Sequence, residues 1–201
     1  GQGYQYNPTC AVREAWWSLP ANTFSDMLWI MTYRERYFVA RNTLCYADAR
    51  LYDGYTKDPL VIALVNTVHC MLWFEVQARN YGGGGGPVDV KVYEVKGAII
   101  PNPAAFTASQ RERLLQAFER MAQREVRSIF EELGYPKPNR DYSNIDPAAL
   151  TLAQVQRASP DRFELDAVVF EVLGLNDAER LAVYRAVVEL VRNRLVKARS
   201  V

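Results

Sequence analysis

The stretch Ser159-Pro160-Asp161-Arg162-Phe163-Glu164-Leu165-Asp166-Ala167-Val168-Val169-Phe170-Glu171-Val172-Leu173-Gly174-Leu175-Asn176-Asp177-Ala178-Glu179 carries a helix start, a stop and a second start. Ser159 ahead of Pro160 sets a cap before a proline at the first helical position, where its missing N–H is not needed. Gly174 supplies the left-handed residue on which a helix over 161–173 ends. Asn176 with Glu179 then caps a further helix to about Lys197, striped by Leu181, Tyr184, Val187, Val188, Val191 and Leu195. The link Gly174-Leu175-Asn176 is short, so the two helices should form an antiparallel hairpin. Arg192, Arg194, Lys197 and Arg199 gather at the C-terminal end, where cations suit the helix dipole.

Before this hairpin, residues 135–159 hold Pro136, Pro138 and Pro147 and read as a long connector with one short helix near 148–156. Further back, Thr107 and Gln110 form a capping box. Leu114, Leu115, Phe118, Met121, Ala122, Ile129, Phe130 and Leu133 follow a helical stripe that ends at Gly134, with Pro136 beyond. The spacing predicts one helix over 107–133, about seven turns long, packed across the first half of the chain.

The first half differs. Residues 1–100 hold 16 of the 24 aromatic residues, and most of the β-type signals. Strands are expected at 15–19, stopped by Pro20, at 27–33, and at 37–40, the last two as a hairpin around Arg34-Glu35-Arg36. In Val88-Asp89-Val90-Lys91-Val92-Tyr93-Glu94-Val95, apolar residues at 88, 90 and 92 alternate with 89, 91 and 94, a half-buried strand. Ala98-Ile99-Ile100 before Pro101 adds a short one. Between these groups a buried helix over 59–79 starts at Asp58 and Pro59. The fold class is therefore α+β: a small mixed or antiparallel sheet in the N-terminal half and a helical C-terminal half. The expected parts are an aromatic, β-rich subdomain over 1–104 and a helical one over 105–201, joined in one compact unit.

The 201 residues are 49% apolar and 23% charged, ordinary values for a globular chain. A chain of this length buries roughly 70% of its unfolded surface, which excludes a disordered tail or a disulfide-built mini-protein. Lys and Arg number 24 against 23 Asp and Glu, so nucleic-acid binding would need a local patch. Cys10, Cys45 and Cys70 are odd in number and widely spaced, which suits free thiols in a reducing cytoplasm. The apolar run over 60–74 is interrupted and shorter than the ~20 residues of a membrane span, so no membrane partner is expected. No signal peptide is visible. The start Gly1-Gln2-Gly3 lacks Met and suggests a piece of a longer protein.

The five glycines Gly82, Gly83, Gly84, Gly85 and Gly86 let backbone N–H groups approach a ligand closely. They follow a helix and precede a strand, the reverse of the P-loop and dinucleotide motifs, so a flexible connector is the competing reading. Arg34, Arg36, Arg41, Asn42 and Arg50 mix with Tyr33, Tyr37, Tyr46 and Tyr52. Arg and Asn match base edges bidentately, while a solvated hairpin surface is the plainer alternative. His69 is the sole histidine and lies in the apolar helix pattern, which favours a packed side chain. Its neighbour Cys70 cannot face it on a helix. No carboxylate pair stands out, and Ser18, Ser25 and Ser109 lack a nucleophile-elbow setting. The chain offers no catalytic residues and no metal ligands.

The order of motifs resembles the C-terminal part of N6-adenine DNA methyltransferases of restriction–modification systems. The likeness rests on Leu64-Val65-Asn66-Thr67 in a helix reaching Glu75 and Arg79, then the glycines, then Lys91-Val92-Tyr93-Glu94-Val95-Lys96 and Ile100-Pro101-Asn102-Pro103. It is most specific in Arg162-Phe163-Glu164-Leu165-Asp166-Ala167-Val168-Val169-Phe170-Glu171-Val172-Leu173-Gly174-Leu175. The family's Asn/Asp-Pro-Pro-Tyr/Phe loop has no counterpart, since Asn7-Pro8, Asp58-Pro59 and Asp146-Pro147 all lack the second proline. The resemblance therefore implies a target-recognition region that reads double-stranded DNA beside a separate methyltransferase catalytic domain, which would flip the adenine and hold S-adenosylmethionine. Arg34, Arg36, Arg41 and Asn42 would meet bases or phosphates. Arg79, Asn80 and the backbone of 82–86 would approach phosphates, assisted by Lys91. Two alternatives stay open: a stand-alone specificity subunit that recruits a methylase, and a protein-interaction module exposing an apolar stripe along 114–133 or 181–195.

Overall fold

The computed structural model describes residues 3–13, 15, 24–80 and 86–198. Four helix starts in the second half are fixed by their own side chains. Thr107, Ser128, Thr151 and Asn176 each accept a backbone N–H three residues on, and three of them are full capping boxes, with Gln110, Glu131 and Glu179 reaching back. The helices so started are α5 Ala108–Ala122, α6 Ile129–Glu132, α7 Leu152–Ala158 and α9 Asp177–Lys197. Helix α8, Pro160–Val172, begins on its proline as expected. Gly134 and Gly174 end α6 and α8 at φ of 87° and 70°, conformations that Gly adopts without steric cost. In both, the next residue's N–H reaches back to the third-last helical carbonyl: Tyr135 to Phe130 at 2.8 Å and Leu175 to Phe170 at 2.9 Å.

Two long helices expected from the sequence are each broken in two. The 107–133 helix stops at Gln123 and restarts at Ser128. Within a continuous helix the Ile129 N–H would bond within its own chain segment. Here it donates to the Glu35 carbonyl at 2.7 Å, while Arg124 in the gap reaches Glu132 and Asp161. The 59–79 helix becomes α2 Leu60–Val65 and α3 Val68–Gln77. At the break the Asn66 side chain leaves the helix pattern and binds backbone across the core. Its Oδ1 accepts the Val39 N–H and its Nδ2 donates to the Val39 carbonyl, both at 2.9 Å. Thr67 then caps α3 by accepting from Cys70 N.

The first half carries two small antiparallel sheets. The first has order β3-β1-β4, with β1 Met27–Ile30, β3 Val39–Arg41 and β4 Leu51–Gly54, a strand the sequence did not announce. The second has order β2-β6-β5, with β2 Thr32–Tyr33, β5 Arg79–Asn80 and β6 Val88–Asp89. The strand expected over 88–95 ends at Asp89, because Val92–Lys96 forms helix α4. The buried Glu94 turns back to accept the Lys91 N–H at 2.8 Å, and this closes the helical turn. No strand forms at 98–100. The strand expected at 15–19 lies, apart from Ala15, outside the described residues. Short helix α1 spans Pro8–Ala11.

One hydrophobic cluster runs from Met27 to Leu195 and draws on both halves. Trp29 and Tyr37 of the first sheet region pack against Phe74 of α3, with ring centroids 5.4 and 5.9 Å away. Helix α5 lies chiefly on α8 and secondarily on α2, and α9 lies chiefly on α3. Helices α8 and α9 meet through Phe170 and Tyr184, whose rings stand 5.7 Å apart. The stripes at Leu114, Phe118, Ile129 and Phe130 and at Tyr184, Val187, Val188 and Val191 are all buried, so neither forms the exposed patch that an interaction module would need.

A chain of buried charges joins these helices. Glu132 accepts from Arg124 at 2.6 and 2.7 Å and from Arg162 at 3.1 Å. Arg162 also lies 3.9 Å from Asp166, which is wholly buried. Asp166 accepts the Val68 N–H at 2.8 Å, the first of α3, and the Tyr184 hydroxyl at 3.2 Å. Complete burial pushes the Asp166 carboxyl up to about 6, with Arg162, Val68 and Tyr184 pulling the other way. Its folded form thus binds a proton more tightly than its unfolded form. The stability it contributes is present at low pH and lost as pH rises through about 6. Urea midpoints of the wild-type protein and of Asp166→Asn, taken near about pH 5 and about pH 7.5, should therefore diverge. The stability of the wild type relative to the variant should be greater at the lower pH, the subtraction removing groups such as His69 that both proteins share. Equal responses would show that Asp166 does not titrate in this window.

Candidate functional site

Tyr142 lies in the connector between α6 and α7 and is 1% exposed, yet it organises a charged surface. Its hydroxyl donates to Glu35 Oε2 at 2.8 Å and its carbonyl accepts from Arg192 Nε of α9 at 3.3 Å. Burial, then the bond to Glu35, pushes the hydroxyl pKa up, against the pull of the nearby Arg34 guanidinium. The chain reaches Tyr142 through a tight turn closed by Asp141 N on the Pro138 carbonyl at 2.7 Å. Asn139 and Arg140 there take φ of 46° and 69°, the mirror-image turn geometry. Lys137 sits just before the turn. It and Arg36 both act on Glu131, whose carboxyl burial pushes up, while hydrogen bonds from Ser128 and these two cations hold it below its usual value.

Arg34 and Arg192 thus meet at Tyr142, while Arg36 and Lys137 meet at Glu131. Glu35 is bonded to Tyr142 and Glu131 to the Ser128 hydroxyl at 2.7 Å, while Asp141 beside Tyr142 is exposed. Arg34 and Arg36 are exposed, and Glu35 between them is half-buried.

The other residues singled out in the sequence are distributed as follows. Gly86 lies beside Arg34, because the Arg194 guanidinium binds the carbonyls of both. Gly82, Gly83, Gly84 and Gly85 lie outside the described residues. Arg79 is exposed on β5, in register with Asp89, and Lys91 Nζ lies 2.6 Å from that same carboxylate. Asn80 pairs with Val88 in the same sheet. Arg41 and Asn42 belong to the other sheet region. Arg41 is clasped by both oxygens of Glu119 on α5, at 2.7 and 3.1 Å. Asn42 is engaged within its own loop, accepting from Cys45 N and donating to Cys45 O and Ser25 Oγ. Sequence reasoning missed Tyr142, Lys137 and Arg192. Arg192 was read as a helix-end charge, and Lys137 lies between two connector prolines.

The candidates for nucleophilic chemistry behave as core residues. Burial raises the Cys70 thiol to about 12, with a weaker opposing pull from Tyr37, and burial lowers the His69 imidazole. Among the described residues no group of three or more His, Cys, Asp or Glu is placed to hold a metal ion, and no helix is long and apolar enough to cross a membrane. Comparison with protein-family models, curated proteins and solved structures gives no match.

The Tyr142 hydroxyl holds Glu35 away from the two flanking arginines. Tyr142→Phe should cost about 1.5 kcal/mol in unfolding free energy, the lower range for a hydrogen bond to a charged group. A loss below about 0.3 kcal/mol would show that the bond does not orient Glu35.

Proposed function

We propose that this chain is the DNA-reading part of an adenine-specific DNA methyltransferase of a restriction–modification system, acting in the cytoplasm beside a separate catalytic domain. The observation that carries the reading is the gathering of Arg34 and Arg192 at Tyr142 and of Arg36 and Lys137 at Glu131, with the last glycine of the tract held beside Arg34. Arginine presents a planar fork to phosphate or to guanine, and lysine a flexible point charge, so the surface suits a duplex backbone with one or two base contacts. On this reading S-adenosylmethionine and the flipped adenine belong to the catalytic domain, and this chain supplies register on the duplex.

Arg79 and Lys91 extend the surface along the second sheet, since β2 leads directly into Arg34 and pairs with β6. Arg41 and Asn42 serve as a secondary contact. The Arg41–Glu119 pair is nearly half exposed, and such a pair holds the arginine by less than about 1 kcal/mol, so a phosphate can draw it away. The net charge of +1 keeps the affinity of the isolated chain modest and leaves the remaining contacts to the catalytic domain.

Fluorescence anisotropy with a labelled duplex over a salt series tests this. Binding should weaken as salt rises, with a slope in log–log form of roughly −0.9 per phosphate contacted. The double variant Arg34→Ala/Arg36→Ala should flatten that slope by about 2 if both residues meet phosphate. A loss confined to particular sequences, of about 1–3 kcal/mol at one position, assigns a base contact instead. Salt-independent binding, or a double variant whose slope and affinity are unchanged on every sequence, would remove this face from the interface.

A further inference from the structure

A cavity of about 280 Å³ opens between edge strand β3 and the gap that separates α5 from α6. It exists because the α5 stripe does not continue. Had residues 123–128 stayed helical, the chain would have closed over this space. The walls are largely apolar, from Phe38, Met71, Phe118, Met121, Val126 and Ile129. Two of these are methionines, whose flexible thioethers adapt to an irregular guest. Four arginines also line it, Arg41, Arg124, Arg127 and Arg162, with the single carboxylate of Glu132.

The four arginines are unequally matched. Arg41 is clasped by both oxygens of Glu119. Arg124 has two carboxylates, Glu132 and Asp161. Arg162 has Glu132 and, at 3.9 Å, Asp166. Arg127 approaches only Glu132, at 3.5 Å, after both oxygens of that carboxylate have been taken by the other two. Its hydrogen bonds run to neutral oxygens, the Ser159 hydroxyl at 2.6 Å and the Ala158 carbonyl at 3.3 Å, and its Nε has no hydrogen-bond partner. Arg127 is thus the lining arginine that has no carboxylate in hydrogen-bond contact, and it lies beside an apolar chamber.

We propose that this cavity binds a small organic anion, a carboxylate on an apolar body about one aromatic ring in size. The carboxylate meets the Arg127 guanidinium at the polar end. The ring lies among Phe118, Met121 and Met71. An inorganic anion would leave the apolar walls uncovered, and a neutral hydrocarbon would leave the guanidinium without an ionic partner. The volume lies just below the usual range of about 300–1,000 Å³ for ligand pockets, which limits the guest to one ring and a short acidic arm. Arg34 and Arg36 do not line this cavity; Arg41, the secondary contact proposed above, does, but the carboxylate is held by Arg127, so the proposal holds whether or not the chain reads DNA.

The probes are benzoate, phenylacetate and 3-phenylpropionate, each against its primary amide, titrated into the whole chain with methionine methyl groups observed by NMR. The Met71 and Met121 methyl signals should shift with the carboxylates, and the matched amides should bind about tenfold more weakly, the ratio expected for one charge-assisted hydrogen bond. Arg127→Gln should erase the preference for acid over amide. Val126→Phe, which keeps Arg127 and fills the chamber, should abolish binding of both. Methionine signals unmoved by millimolar carboxylate, equal binding of acid and amide to the wild type, or an intact preference in Arg127→Gln would each overturn the proposal.

Discussion

The fold turns on one shared carboxylate. Glu132 is buried with Arg162, and Arg162 carries the charge on to Asp166 and donates to the Asn66 carbonyl at 3.2 Å. Through these contacts α8 is tied to α6, to the α2–α3 junction and, by way of Tyr184, to α9. A buried ion pair is a weak source of net stability, since desolvation cancels much of the attraction, but removing one member of it costs about 3–5 kcal/mol. The effect here is specificity. Only one arrangement of the four helices lets every member of the chain keep its partner.

Arg194 plays a comparable part for the surface. Its side chain is 4% exposed, grips both oxygens of Glu75, and lies over the Tyr33 ring at 5.8 Å. Burial pushes the Glu75 carboxyl up while Arg194 opposes the shift. With its remaining donors Arg194 fastens the carbonyls of Arg34 and Gly86. One guanidinium at the end of the last helix thus holds two segments of the first half side by side. The exposed arginines of residues 34–36 are therefore mounted on a fixed support.

What could be read along the sequence was what depends on near neighbours. The capping boxes at Thr107 and Asn176, the proline start at Pro160 and the glycine stops at 134 and 174 are all settled within a few residues, and all are present. The two helix breaks were legible only in part: Ser128 with Glu131 spells a capping box and Thr67 a cap, but the partners that draw the chain out of each helix are remote. Asn66 leaves its helix for Val39, and Ile129 gives its N–H to Glu35, partners that no local pattern reveals. The segment 88–95 shows a different limit. Its alternation of apolar and polar residues was real, but Glu94 folding back on Lys91 decided for a helical turn. At the candidate surface, exposed Arg34 and Arg36 were visible in the charge pattern. Arg192 joins Arg34 only through Tyr142, more than a hundred residues from Glu35, and Lys137 joins Arg36 only at Glu131.

The amide of Asn66 has one more consequence. Strand β3 is the outermost of its sheet, and the open side of such a strand is where a second chain can zip on and seed fibres. Asn66 occupies both backbone groups of Val39 on that side, as a one-residue imitation of a further strand. A neighbouring strand arriving there finds the first rung of β3 already taken, so the residue that interrupts a helix also blunts the edge of the sheet.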